Sequence, residues 1–178
     1  MEIVDMNTLD AAQREQAARI LTESLPLGWP SYNDAKEELI ELLIPKNTMF
    51  AALENRETVG WGGIMPIYKG RVFELHPLVV REDKRGSGIG GALLKALEDK
   101  ARERGGLTMR IDADDEIEGG ETSFANVDLY SDFPGHLRRF KPGAHQTAFY
   151  LKQGYTIVGA LPDANGYGKP DIFLAKRL

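Results

Sequence analysis

The run from Val72 to Arg104 restricts the architecture more than any other part of the chain. Residues 72–80 are apolar or β-branched at strand spacing, and Arg81-Glu82-Asp83-Lys84-Arg85 is a charged turn. Gly86-Ser87-Gly88-Ile89-Gly90-Gly91 then leads into an amphipathic helix in which Ile89, Leu93, Ala96, Leu97 and Ala101 recur on one side. A strand that passes through glycines into a helix presents bare backbone N–H groups at the positive helix end, here beside Lys84 and Arg85. The arrangement suits a pyrophosphate, and so a nucleotide-bearing ligand.

The rest of the chain predicts elements around that unit. Ile3 and Val4 suggest a first strand. Thr8 or Asp10 caps a helix with Leu9, Ala12, Ile20, Leu21 and Leu25 at helical spacing, broken by Pro26, Gly28 and Pro30. Asn33 or Asp34 opens a second helix that ends at Pro45. Residues 48–53, 59–65 and 72–80 form an antiparallel meander, because their connections are short. The glycine-loop helix stops at Gly105-Gly106, and the strand at 107–111 should run parallel to 72–80. A helix near 144–152 and strands at 155–161 and 172–176 complete the chain. The fold class is α/β in the mixed α+β sense: one domain over residues 1–178, with a central sheet of about 6–7 strands flanked by helices.

Composition narrows the function. At 178 residues, one domain can bury roughly 70% of the surface its unfolded chain exposes. There is no cysteine, which excludes thiol nucleophiles, disulfides and cysteine-ligated zinc. Three scattered histidines do not have metal-ligand spacing, so no metal is expected. The net charge of −5 argues against a nucleic-acid partner and is compatible with cationic ligands. No apolar run approaches the ~20 residues that cross a bilayer, and no leader pattern opens the chain, so no membrane partner and a cytoplasmic setting are expected.

The glycine loop admits two readings. Gly86, Gly88 and Gly91 satisfy G-x-G-x-x-G, with Asp112 about 20 residues further on, as in dinucleotide-binding folds. Those folds place the glycines directly after the strand within repeated βαβ units. Here five charged residues intervene and a meander precedes. Alternatively, Arg85-Gly86-Ser87-Gly88-Ile89-Gly90 reads as Arg-x-x-Gly-x-Gly, which resembles the acyl-CoA pyrophosphate loop of the GNAT N-acetyltransferase superfamily.

The resemblance extends to Glu74-Leu75-His76-Pro77-Leu78-Val79-Val80, Asp114-Asp115, Asp128-Leu129-Tyr130, Phe149-Tyr150-x-Lys152-x-Gly154-Tyr155 and the tail from Gly159 to Ile172. Together these look like the aminoglycoside 6′-N-acetyltransferase branch, over about residues 48–178 and more loosely through Trp29-Pro30. The resemblance implies acetyl-CoA as co-substrate, a cationic aminoglycoside as acceptor, antibiotic resistance as outcome and a homodimer. It implies a sheet splayed between the fourth and fifth strands, with the Leu78 N–H polarising the thioester and Val79 and Val80 lining the pantetheine arm. Residues Arg85, Gly86, Ser87, Gly88, Ile89, Gly90 and Gly91 would wrap the pyrophosphate, with Lys152 also on the cofactor. Tyr150 matches a tyrosine near the CoA sulfur, where it protonates the thiolate or simply packs in the core.

Strand alternation puts Glu74, His76, Leu78 and Val80 on one face and Phe73, Leu75 and Val79 on the other. Pro77, which cannot donate a ladder bond, predicts a local distortion. Glu74 is the candidate base that takes a proton from the amine, and His76 positions substrate or water. Asp112, Asp114, Asp115, Glu116, Glu118 and Glu121 form an acidic run. Asp114 and Asp115 match the family as acceptor ligands, and the choice among Glu116, Glu118 and Glu121 is open. Trp29 either covers the sugar or anchors its loop. Other readings remain: a polyamine, another amino sugar or a peptide amine as acceptor, or a non-catalytic CoA- or nucleotide-binding module.

Overall fold

The computed structural model describes residues 1–178, which divide into two units, Met1–Met109 with Leu178, and Arg110–Arg177. In the first unit β1 (Glu2–Asp5), β2 (Thr48–Glu54), β3 (Glu57–Ile67) and β4 (Val72–Val80) pair antiparallel in chain order, the meander that the short connections imply. Asn55 and Arg56 close the β2–β3 hairpin at φ 50° and 68°, and a two-residue turn of that hand preserves the strand twist.

Helices α1 (Ala11–Ser24) and α2 (Tyr32–Leu42) cover one face. Asp10 caps α1 in a reciprocal pair with Gln13. For α2 the cap is Ser31, paired with Asp34, so the helix opens before Asn33 and Asp34 and ends at Leu42, three residues short of Pro45. The predicted opener Asp34 is the third helical residue: its carboxylate bonds back to the Ser31 N–H at 3.0 Å. Ala17, Ile20, Leu21, Ala35, Leu39 and Leu42 pack onto Met49, Ala51, Trp61 and Val79. Trp61 is fully buried and its indole N–H donates to the Ala17 carbonyl at 2.9 Å, tying α1 to β3. On the other face α3 (Ile89–Glu103) sets Ile89 and Leu93 against Ala52 and Val59, with Leu78 and Val80 at the edge of that cluster.

The β3–β4 register slips by one residue. Gly62 faces Leu78 while Ile64 faces Leu75, so His76 and Pro77 together oppose Gly63. An extra residue in one strand turns every side chain beyond it to the opposite face. After the bulge, Val79 points toward α1 and α2, and Leu78 and Val80 toward α3. Before it, Phe73 lies 4.9 Å from the Arg104 guanidinium at the end of α3, and Glu74 and His76 emerge beneath α2. This corrects the alternation expected from sequence: Glu74 and His76 share a face with Val79, not with Leu78 and Val80. Gly63 lies opposite the bulge, where a Cβ would sit 2.1 Å from Met49 Sδ and 3.1 Å from the His76 carbonyl.

The second unit holds β5 (Thr108–Asp114), α4 (Phe133–Arg138), α5 (Thr147–Lys152), β6 (Thr156–Leu161) and β7 (Asp171–Arg177), the first two residues of β5 belonging to the first unit. Strands follow the order β5-β7-β6, with β6 and β7 antiparallel. Phe124, fully buried, packs its ring against Phe133 and Phe140 and anchors the long segment after β5. Helix α4 has no counterpart in the sequence reading. It is six residues long, opened by Asp132, whose carboxylate accepts the Gly135 N–H at 3.0 Å.

Candidate active site

The glycine loop, expected from sequence to take a pyrophosphate, joins β4 to α3. Gly86 and Gly88 take φ of 77° and 92°, a left-handed backbone in which a Cβ is strained, and both face open space. Gly88 caps α3 without any side chain to satisfy the helix, and the first bond into the helix is Ala92 N–H to the Gly88 carbonyl. The N–H groups of Ile89, Gly90 and Gly91 precede that bond, at the positive helix end. The two neighbouring cations are already held. Lys84 bonds Glu54 at 2.8 Å, and the Arg85 guanidinium donates to the Val80 carbonyl and Ser24 Oγ, both at 3.1 Å. They flank the loop, in which the Arg85 N–H donates to the Glu82 carbonyl at 3.1 Å.

The β4 backbone adds a second donor set. Arg81 N–H donates to the Val59 carbonyl at 2.9 Å, and Val80 faces Gly60 in the register. In an antiparallel pair, bonded and non-bonded pairs alternate. The bonded pairs are therefore 81/59 and 79/61, and the N–H groups of Leu78 and Val80 point out of the β3–β4 ladder. Leu78 thus presents an oriented donor close to the bulge.

On the face beneath α2, His76 Nε2 lies 3.3 Å from Glu38 Oε1 and the Trp29 indole N–H donates to Glu38 Oε2 at 3.2 Å. The Trp29 and His76 rings are 5.7 Å apart. Glu74, half-buried, shares this face through the bulge. The structure therefore joins Trp29 and His76, which the sequence singled out, through Glu38, which it did not. One signal was legible: Glu38 falls on the stripe of α2 marked by buried Ala35, Leu39 and Leu42. A carboxylate there requires partners.

In the second unit the acidic run resolves into different roles. Asp115 is fully buried, and its two oxygens accept the N–H groups of Glu121 and Thr122 at 2.8 Å each, so it shapes the loop. Asp114 is exposed; Asn165 donates to its Oδ1 at 2.6 Å, and buried His145 donates from Nε2 to its carbonyl at 3.0 Å. Asp112 pairs with Arg110. Glu116 is lifted above the usual carboxylate range by burial and then by Asp114, while Glu118 reaches Lys169 at 3.2 Å. Tyr150 is 5% exposed between Phe149 and Tyr155, and burial pushes its phenol up, so it is neutral at neutral pH and a weaker acid than an exposed tyrosine. Lys152 ends α5 with its side chain exposed. No group of three or more His, Asp or Glu is arranged to hold a metal ion, and no helix is long and apolar enough to cross a membrane.

Asp171, not singled out as a site residue from sequence, titrates abnormally. Burial first, then Asp114 and Asp112, push its carboxyl up to about 6, against a bond from the Ala113 backbone, and Oδ1 is buried with no partner. A folded-state pKa above the ordinary ~3.9 means that the folded chain holds a proton which the unfolded chain has lost between those values. Stability falls as pH rises through that window, and the penalty is complete above it. Asp171→Asn should raise Tm at pH 7.5 and leave it unchanged at pH 4 in thermal unfolding. An equal Tm difference at both pH values would contradict this.

Comparisons with known proteins bear on these features. The model of the acetyltransferase (GNAT) family matches residues 14–131. No curated protein matches the chain. Among solved structures, an aminoglycoside 6′-N-acetyltransferase complexed with coenzyme A is similar at TM-score 0.90 and 35% identity, covering 99% of this chain and 97% of its own. The aminoglycoside 6′-N-acetyltransferase from Enterococcus faecium gives 0.90 and 34% with the same coverage. An aminoglycoside 6′-acetyltransferase of type Ii gives 0.77 and 31%, again over 99% and 97%.

Proposed function

This chain belongs to the acetyltransferase (GNAT) family, with a mixed α/β fold of seven strands and flanking helices, and from that premise we propose that it acetylates the 6′-amine of aminoglycosides from acetyl-CoA. The observation that carries the acceptor assignment is the similarity, over 99% of the chain, to aminoglycoside 6′-N-acetyltransferases at 34–35% identity. The reading treats residues 1–178 as one acetyltransferase domain, working as a cytoplasmic homodimer that confers antibiotic resistance.

Each residue has a stated task. An alkyl amine with a pKa near ~10 is mostly protonated at neutral pH and must lose a proton before it attacks. Glu74 accepts that proton, directly or through a water, and His76 orients the amine. The freed nitrogen attacks the thioester carbonyl carbon, whose oxygen gains negative charge opposite the Leu78 N–H. The C–S bond then breaks. Tyr150, a neutral phenol whose burial disfavours a lasting phenolate, passes its proton to the departing thiolate, whose ordinary pKa is near ~8.5, and takes up in its place the proton that the acylated nitrogen must shed. The amides of the Arg85–Gly91 loop hold the pyrophosphate, Val80 lines the pantetheine arm and Lys152 assists cofactor binding; Val79, bonded to Trp61 and buried beneath α1 and α2, belongs to the core instead. On the acceptor side Trp29 covers a sugar ring and Asp114 takes an ammonium group, while Asp115 keeps the Asp114 loop in shape.

The test is thiol release from acetyl-CoA with separate acceptors: aminoglycosides bearing a 6′-amine, a linear polyamine, and a peptide with a free N-terminal amine. Turnover confined to the aminoglycosides is expected. Turnover with the polyamine or peptide alone would keep the chemistry and remove the acceptor assignment. Thermal stabilisation by NADH and not by CoA would overturn the cofactor assignment as well.

The cradle carries its own prediction. In Gly88→Ala a methyl group enters the open side of the loop at φ 92°, straining the backbone by about 1–2 kcal/mol and crowding the phosphates. KM for acetyl-CoA should rise about tenfold with kcat nearly unchanged, the pattern of lost uniform binding. A fall in kcat at constant KM would place the loop in the chemical step instead.

A further inference from the structure

We propose that Glu38 is a positioning residue of this site, fixing the His76 ring in one tautomer and clamping Trp29 over β4. The inference rests on the acyl-transfer reading above and adds a residue that neither the motif nor the strand contains. Glu38 lies on the inward stripe of α2, with its side chain 23% exposed. A carboxylate in that position is costly to desolvate unless its oxygens are occupied. Both are, and by two different elements: Oε1 by His76 of β4 and Oε2 by Trp29 of the loop between α1 and α2.

Two consequences follow from chemistry alone. A carboxylate only accepts hydrogen bonds, so the proton of neutral His76 resides on Nε2 and the bare nitrogen is Nδ1. His76 therefore meets an acceptor amine or a water with an accepting lone pair. The ring cannot turn over without losing Glu38, so this tautomer is maintained between turnovers. The same carboxylate closes a chain of contacts through the loop. Trp29 N–H bonds the Leu25 carbonyl at 3.0 Å, and the Thr22 hydroxyl of α1 donates to the Trp29 carbonyl at 2.6 Å. Trp29 is thus fixed at its backbone by α1 and at its indole by α2. Glu38 is the one residue that touches both the imidazole and the indole through polar atoms.

The test uses the full chain and needs no substrate for its first arm. Nitrogen NMR of the His76 ring, assigned by the signals lost in His76→Asn, distinguishes the protonated ring nitrogen from the bare one. With the imidazole neutral, Nε2 carries the proton in the wild type, and in Glu38→Ala, where the acceptor 3.3 Å away is gone, both tautomers are populated. The second arm is acetylation: Glu38→Gln and Glu38→Ala lower kcat about tenfold while KM for acetyl-CoA stays within about twofold.

A wild-type His76 ring protonated on Nδ1, or a tautomer unchanged in Glu38→Ala, overturns the proposal whatever the acetylation assay gives. A tautomer released in Glu38→Ala with unchanged kcat and acceptor KM overturns the positioning role. A released tautomer in a chain that acetylates no aminoglycoside sinks the acceptor assignment and leaves the Glu38 clamp standing.

Discussion

Glu74→Gln lowers kcat about a hundredfold at pH 7, and the deficit shrinks toward tenfold by about pH 9.5. The pH dependence is the diagnostic part. An amine with a pKa near ~10 is only about one part in a thousand unprotonated at neutral pH, so a base that removes the proton is worth most there. As solution pH approaches the amine pKa, the substrate deprotonates unaided and Gln at position 74 handicaps the enzyme less. Gln is nearly isosteric and Glu74 is half-buried beneath α2, so Tm should change little. A variant that runs parallel to the wild type across the pH–rate profile would remove Glu74 as base and leave it as a binding charge.

The second large effect concerns a backbone atom. Leu78→Pro deletes the N–H that points out of the β3–β4 ladder and should cost about a hundredfold to a thousandfold in kcat, as loss of one oxyanion donor does. Because the bonded pairs are 79/61 and 81/59, no bond to β3 is lost with it. Leu78→Ala is the necessary companion. It retains the N–H and trims only the side chain that packs near Ile89 and Leu93, so its kcat should remain within about fivefold of wild type. Circular dichroism and a Tm shift on adding CoA establish that both variants fold. Equal losses of kcat in the two would make the side chain, and not the donor, responsible.

These two residues also show where sequence reading succeeds and where it stops. The strand, the meander and the loop-to-helix unit were legible because each is written in a local period or in glycine spacing. Pro77 announced a distortion of β4. Its consequence was not legible, because a bulge is defined by the partner strand: only the pairing of His76 and Pro77 against Gly63 reveals that Glu74 and His76 have changed faces. Glu38 was missed for a similar reason. Its meaning comes from His76, 38 positions away: the stripe of Ala35, Leu39 and Leu42 sets Glu38 apart from the other acids of α2 but does not name its partner. Asp115 was read with Asp114 as one acidic pair, yet adjacent residues point apart, and burial assigns Asp115 to the N–H groups of Glu121 and Thr122. The cap of α2 shifted to Ser31 since Ser and Asp three apart cap each other reciprocally, a pattern that outranks either residue alone.

The central claim is that this chain moves an acetyl group from acetyl-CoA to one particular amine. Its most direct test is a matched pair of aminoglycosides that differ only in carrying an amine or a hydroxyl at the 6′ position, each incubated with the chain and acetyl-CoA. Mass and NMR analysis of the products should show a single added acetyl group on the 6′ nitrogen of the first, and no product from the second. Equal acetylation of both, or an acetyl group on any other nitrogen of the first, would contradict the account.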